Sequence, residues 1–442
     1  MHMNFVSRAA GAELFLAWVC LASLGCRVAL AAPEFQTPPE LSLENARQFA
    51  LLNNWDLLAA KSDVDLAQAQ QLVAREFPNP TLSLLTSKIN LEHGRGTVLG
   101  NSFFDRSYDS VAAVSQLLEI GGKRASRRAS ANAAFMSAEA RFRDARRLLD
   151  LGVARTYIAA VQLEANAGIL RRSAETMRKE ADIAAVRQKA GDISTSDQAQ
   201  IEVTAARLEQ DARAAAVAAR ANKIALENLL GSLHPTGNWR ATDSLETLAE
   251  SLAGNLKEAP LANVETRPDV IAAELNRKRA GADWRLQKAL RIPDPTFTVQ
   301  YEHEPPDTLN SLGLGVSFPI PLWNHNRGNI AAAAAARRQA DVQAEKIRAQ
   351  AVAEVLTARA AFVDAAERFA RYRTEIAPKS AKVRAAVAFS YEKGGATLLD
   401  LLSAERTDNE VRLASAQAAT DAATTAAALR AALNQGETKS QP

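Results

Sequence analysis

Few residues in this chain carry the side chains that bond-making chemistry needs. There are 5 histidines and 2 cysteines in 442 residues. His93, His234, His303 and His325 are scattered, without the short spacing that lets two imidazoles reach one metal ion. Acid–histidine neighbours occur at Glu92-His93 and Glu302-His303-Glu304, so His93, His303 and Glu302 are weak cation-site candidates, with solvated loop residues as the alternative. Glu119-Ile120-Gly121-Gly122-Lys123-Arg124 has two glycines and a lysine, but not the spaced first glycine of a phosphate loop, so a helix-starting turn accounts for it. No Gly-x-Ser-x-Gly and no His-Glu-x-x-His is present. The expectation is a protein that is not an enzyme and needs no cofactor.

Cys20 and Cys26 sit inside a segment that reads as an export signal over residues 1–31. Arg8 precedes an apolar run from Phe15 to Leu24, followed by the small-x-small site Ala29-Leu30-Ala31. The mature chain would then hold no cysteine, which removes disulfides, thiolate metal sites and cysteine nucleophiles together. Gly25-Cys26 also fits lipid attachment at Cys26, although Ser23 and Leu24 stand in the wrong order for that signal. Charge is balanced, 53 Lys+Arg against 50 Asp+Glu, and aromatics are 5%. That argues against a nucleic-acid partner, which would need a basic surplus and stacking platforms. No later run approaches the ~18 apolar residues of a membrane-spanning helix, so entry into a membrane would be by strands.

Alanine, roughly a fifth of the chain, and the gaps between prolines show which elements hold these residues. A helix is expected from about Lys123 to Ala190, with large residues every seventh position: Phe135, Phe142, Leu149, Thr156, Leu163, Leu170 and Met177. Val153, Ala160, Ala167, Ala174 and Ala181 form a small-residue row beside them, which points to close coiled-coil packing. Val355, Phe362, Phe369, Ile376 and Val383 repeat the pattern, with Pro378 expected to bend or restart that helix. Gly191-Asp192-Ile193-Ser194 and Gly394-Gly395-Ala396-Thr397 each end one helix and cap the next, making two long hairpins. Residues 81–110 and 291–329 hold no alanine, and in and beside them apolar and polar residues alternate as in strands, over 81–90 and 108–118 less cleanly than over 296–303 and 311–318. A soluble hairpin with one buried face would show the same alternation.

The two halves repeat. Phe77-Pro78-Asn79-Pro80-Thr81-Leu82 returns as Ile292-Pro293-Asp294-Pro295-Thr296-Phe297, and Gly191…Asp197…Glu202 as Gly394…Asp400…Glu405. The expected organisation is a first repeat over 32–232 with a hairpin at 123–231, and a connector over 233–264. A second repeat follows over 265–434 with a hairpin at 323–433, then an irregular tail over 435–442.

Pro-Asn-Pro ending a helix, Glu119–Arg124 after the second strand, Phe318-Pro319-Ile320-Pro321-Leu322-Trp323-Asn324-His325-Asn326-Arg327-Gly328 after the fourth, and Tyr391…Gly394…Leu399-Asp400-Leu401-Leu402 resemble the outer-membrane factor family, the TolC-like efflux ducts. The likeness covers essentially the whole mature chain and is greatest to the cobalt–zinc–cadmium branch. It implies a mainly α protein with four strands per chain, closed in a homotrimer as a 12-stranded transmembrane barrel above a helical tunnel. It places the chain in the outer membrane of a Gram-negative bacterium, extending into the periplasm. It implies contact with outer-membrane lipid, a periplasmic adaptor (membrane fusion protein) and an inner-membrane pump of the resistance-nodulation-division type. The cargo it implies is divalent heavy-metal cations, with organic compounds as the alternative. A periplasmic adaptor and a secreted structural coiled coil are the other readings. Adaptor-contact positions carry over to Arg187, Gly191, Ile193, Ser194, Gly394, Gly395, Thr397 and Leu398. The gate carries over to Asp400, Asp197, Tyr391 and Ser403: a single acidic ring at Asp400, since the second acid position is Ser403. The latch would be an Asp197–Tyr391 hydrogen bond, since the family's arginine position is Ala396.

Overall fold

The structure, a computed structural model, describes residues 37–89, 107–254, 256, 261–304 and 308–435. The export signal, Cys26, His93 and the chain beyond Gln435 lie outside the described residues. A two-residue strand β1 (Glu40–Leu41) leads into α1 (Leu43–Asn53) and α2 (Trp55–Arg75). Asn54 separates these helices and caps α2, its Oδ1 accepting the Leu57 N–H at 3.0 Å. Then come β2 (Thr81–Ile89), β3 (Ser107–Leu117), the 68-residue α3 (Lys123–Ala190) and α4 (Thr195–Leu229). The expected connector is ordered in part: β4 (Arg240–Ala241) pairs parallel with β1, and α5 (Leu245–Ala253) packs on the end of the last helix. The second half runs α6 (Pro268–Ala289), β5 (Thr296–Glu304), β6 (Thr308–Ser317), α7 (Arg327–Arg371), α8 (Ala377–Glu392) and α9 (Leu398–Ala432).

Several boundaries differ from the sequence reading. β6 begins at Thr308 rather than 311 because a bulge between Glu302 and Glu304 lets Glu304 pair with Thr308. It ends at Ser317, two residues before Pro319, which has no N–H to give the ladder. β3 is set one residue earlier than expected, although the Leu118 N–H still reaches the Pro295 carbonyl at 2.9 Å. The second hairpin starts at Arg327 rather than 323, because Asn326 takes the left-handed conformation, φ 57°, and the helix can begin only after it. Gly122, φ 78°, holds the matching position before α3.

The strands form one antiparallel sheet in the order β2-β3-β5-β6. Its register aligns Leu82 with Val114, Val114 with Val299 and Val299 with Leu314, while Tyr301 sits opposite Leu312. One face is therefore apolar from edge to edge, and it is exposed: Leu84 is 76% and Leu314 81% accessible. The other face carries Thr81, Ser83, Ser115, Thr298, Gln300 and Ser311, with Ser115 Oγ and Thr298 Oγ1 2.9 Å apart. Gly313 lies under Gln300; a Cβ there would stand 2.7 Å from the Gln300 side chain.

Below the sheet, Lys123 is buried and forms an ion pair with Asp294 at 2.6 Å, and the Ile120 N–H donates to the same carboxylate at 2.9 Å. The Gly-Gly-Lys turn of one half is thus bound to the Pro-Asp-Pro turn of the other. The main core lies midway along α3, where Tyr157 stacks on Trp239 with centroids 5.8 Å apart and its hydroxyl donates toward Leu41 O and Asp243 Oδ2, each at 2.8 Å. Burial and the adjacent Asp243 carboxylate raise the Tyr157 pKa, so the phenol stays protonated. In α3 the small row is the better buried: Val153, Ala160, Ala174 and Ala181 are in the core, whereas Phe135, Phe142, Leu149, Leu163 and Leu170 are half-buried. Helix backbones approach closely over alanine, and the larger side chains stand at the margin. In α7 the seam Val355–Phe362–Phe369 is buried, but Val383 of α8 is exposed. Between them one π-turn, Tyr372–Ile376, precedes Pro378 in the first turn of α8. The wider turn accommodates the missing donor and the ring, so the helix continues instead of stopping.

Candidate functional site at the hairpin tips

Both hairpins end in the same local chemistry. At the first tip Gly191 has φ 84°, its N–H donates to Gln188 O at 3.0 Å, and the Asp192 N–H donates to Arg187 O at 2.9 Å. At the second, Gly394 has φ 77°, its N–H donates to Tyr391 O at 3.0 Å, and the Gly395 N–H donates to Ser390 O at 2.8 Å. These bonds satisfy the last carbonyls of each helix, and the left-handed state favours glycine. Nothing stands within 4 Å of a Cβ built on either glycine, so both tips are open surface. Ser194 and Thr397 then cap the returning helices, accepting the N–H of Asp197 at 3.0 Å and of Asp400 at 3.2 Å.

The fold brings the two tips together. Ile193 from the first and Leu398 and Leu402 from the second pack against one apolar cluster of Met177, Ala181, Ala184, Ile201 and Ala205. The Arg187 guanidinium lies 5.6 Å from the centre of the Tyr391 ring. Within the chain, Tyr391 therefore meets Arg187 through its ring face, and no Asp197–Tyr391 hydrogen bond forms among the described residues. Asp197 is at the start of α4, its own N–H tied to Ser194. Asp400 is exposed, but its carboxylate is engaged in a capping box: Oδ2 accepts the Thr397 N–H at 2.9 Å and the Thr397 hydroxyl at 2.6 Å. Those two bonds hold its pKa below the usual carboxylate value. Ser403 and Asp400 line a cavity of about 320 Å³ with Ser380, Val383, Val387 and Thr407.

Behind this cavity is an ionic cluster that sequence reasoning missed. Arg384 of α8 reaches Glu405 at 3.1 Å and Asp408 at 3.2 Å on α9, Arg412 reaches Asp408 at 2.7 Å, and the Ser380 hydroxyl donates to Asp408 at 3.1 Å. Glu405 and Asp408 are buried. The i, i+3 and i+4 spacing of Glu405, Asp408 and Arg412 was a usable signal. Glu180 of α3 has its pKa raised by burial and by the charges of Glu392 and Glu405, with Arg187 opposing the shift.

The metal candidates are not brought together. Glu302 and His303 are adjacent in β5, so they point to opposite faces of the sheet. His303 Nδ1 sits 3.3 Å from Asn310 Oδ1. Among the described residues no three metal-ligating side chains cluster.

The sheet is apolar on one face and polar on the other, and it carries two long helical hairpins whose tips meet at the far end. Residues 46–232 and 263–435 match the family of outer membrane efflux proteins, and the chain belongs to that family. It is 25% identical over 378 residues to the cobalt-zinc-cadmium resistance protein CzcC of Cupriavidus metallidurans, covering 84% of this chain and 85% of that one. The fold is shared with solved outer-membrane proteins. CusC superposes with a TM-score of 0.73 at 19% identity, covering 92% of this chain and 97% of that one. The CmeC outer membrane channel of Campylobacter jejuni superposes with a TM-score of 0.74 at 17% identity, covering 90% and 87%. Members of this family are passive channels of the Gram-negative outer membrane, so the protein is a duct and not an enzyme.

Proposed function

We propose that the chain is the exit duct of a tripartite pump–adaptor–duct system that exports divalent heavy-metal cations. The observation that carries the cargo is the likeness, over 84% of this chain, to a cobalt-zinc-cadmium resistance protein. The sheet supports association of chains, because β2 and β6 each have one unpaired edge and an open edge cannot persist in lipid, and the family likeness supplies the number three. Three chains would close a barrel of about twelve strands with the exposed apolar face toward lipid and the polar face lining the lumen. The tips then dock on the periplasmic adaptor, and a pump of the resistance-nodulation-division type completes the path.

Deleting the gene from its host should raise sensitivity to zinc, cobalt or cadmium, and the wild-type gene should restore tolerance. Restoration by Gly191→Val and Gly394→Val should be impaired, with weaker crosslinking to the adaptor, since each forces a branched residue into the left-handed state at a cost of about 1 kcal/mol or more. Unchanged metal tolerance with lost tolerance of organic compounds would transfer the cargo to the latter. Full restoration and normal crosslinking in both variants would remove the tips from docking.

The gate contact has its own expected result. Because Tyr391 meets Arg187 through the ring, Tyr391→Ala should raise the open fraction in planar bilayers about two- to fivefold, the value of an exposed cation–π contact. Tyr391→Phe keeps the ring and should stay near wild type. An equal rise in both variants would return the latch to the hydroxyl and Asp197.

A further inference from the structure

About a third of the way along α3 from the sheet, α1, α3 and α9 line a cavity of about 550 Å³ that the proposed duct function does not use. Five arginines line it: Arg47 from α1, Arg143, Arg146 and Arg147 from α3, and Arg430 from α9. Two carboxylates, Glu44 and Asp150, share the lining. Asp150 pairs with Arg47 at 2.9 Å, and Arg147 is held by Asp144 at 2.7 Å. That leaves Arg143, Arg146 and Arg430 without a carboxylate partner within ion-pair distance among the described residues.

Arg430 is the most telling of them. Its guanidinium is half-buried and donates to the Ser251 carbonyl at 2.9 Å, a neutral acceptor. Burial, and next the charge of Arg47, lower its pKa, and Asp150 offsets only part of this. Arg146 is half-buried like Arg430, and Arg143 stands exposed at the rim; a half-buried guanidinium beside the like charge of Arg47 is unfavourable unless an anion joins it. Guanidinium forks arriving from different helices match the oxygens of a phosphate or carboxylate.

We propose that this cavity binds a multivalent oxyanion, a phosphate or polycarboxylate, held by Arg143, Arg146 and Arg430. The site lies about 36 Å along α3 from the sheet, at 1.5 Å per residue from Lys123 to Arg147. On the reading of the sheet as membrane-embedded, no lipid headgroup reaches that far. The shared chemistry has two sources there: a free periplasmic oxyanion, or carboxylates fixed on the peptides of the cell wall.

The test uses the purified detergent-solubilised protein and does not depend on transport. Titration calorimetry at low ionic strength with tripolyphosphate, and separately with citrate, should show one site per chain. Arg146→Glu and Arg143→Glu should each weaken it about tenfold or more, and added salt should weaken it further. Arg171→Glu, on α3 outside the cavity, should leave it unchanged and serves as the folding control. Isolated cell-wall sacculi that sediment the wild type but not Arg146→Glu assign the anion to the wall; small-anion binding without co-sedimentation assigns it to a free solute. No binding of either small anion, or equal binding by Arg146→Glu and wild type, overturns the proposal. Loss of the oligomer in Arg146→Glu, with no anion taken up by the wild type, gives these arginines to subunit packing and overturns it equally. A failure of the membrane reading would appear instead as a detergent-independent soluble chain that still binds tripolyphosphate.

Discussion

Arginine in place of Leu314 is expected to abolish recovery of an SDS-resistant trimer from outer-membrane preparations. Leu314 lies in the middle of β6 on the apolar face, directly opposite Val299, and is 81% accessible in the single chain. A soluble monomer rarely leaves such a row open, and in the proposed barrel this row faces lipid. Arginine at the mid-plane of a lipid-facing strand costs about 2–4 kcal/mol, and a trimer carries that cost three times. Ser311→Arg makes the paired control. Ser311 lies on the polar face opposite Glu302, where a cation meets water and a carboxylate, so its trimer should survive. Equal trimer yields from Leu314→Arg and wild type would mean that the apolar face does not contact lipid.

Asp269→Ala is expected to lower stability by about 2 kcal/mol, seen as an earlier thermal transition in detergent. Arg267 is 1% exposed and caps the entry to α6; its guanidinium meets Asp269 at 2.7 Å and Glu354 of α7 at 2.8 Å, and reaches the Ala432 carbonyl at the end of α9. One buried cation thus joins three helices of the second half. Glu354 and the Ala432 carbonyl remain in the alanine variant, but Glu354 is more than half exposed, so the buried cation keeps one solvent-screened carboxylate instead of two. The pH dependence has a definite sign. Burial alone would raise the Asp269 pKa, but the hydrogen bond and charge of Arg267 outweigh it and the net shift is downward. A depressed carboxylate stabilises fully above its unfolded value, about 3.9, and that contribution disappears as pH falls through the folded value. The wild type should therefore lose part of its stability below about pH 4, and Asp269→Ala should lack that component. Coincident acid profiles for the two would remove the pair from the account.

The hairpins and the sheet were legible because their signals are periodic and local. Gly191 and Gly394 end helices, Ser194 and Thr397 start them, and Leu312-Gly313-Leu314-Gly315-Val316 alternates strictly. What escaped was set by partners far away in sequence. That Lys123 is neutralised by Asp294 depends on how the two repeats pack, not on the Gly-Gly-Lys pattern. The strand period was enough to separate Glu302 from His303, and adjacency in the chain obscured it. The meeting of Arg187 with Tyr391 needed the relative placement of two hairpins that no local pattern encodes. The arginines of the α1–α3–α9 cavity lie on three separate segments of the chain, each unremarkable by itself.

The π-turn at Tyr372–Ile376 also changes the helical phase of everything beyond it. It takes one extra residue to complete its turn, and one residue corresponds to about 100° of rotation around the axis. A seven-residue count that runs Phe362, Phe369, Ile376 therefore lands one position short at Val383, which stays exposed at the open cavity beside Ser403 instead of packing in the core. The residue carried onto the inner side is Arg384, and it is Arg384 that engages Glu405 and Asp408. The long arm thus has two kinds of inner edge along its length. Toward the sheet its inner edge is apolar and interlocked, through Val355, Phe362 and Phe369; toward the tip it is ionic, held by Arg384 against Glu405 and Asp408.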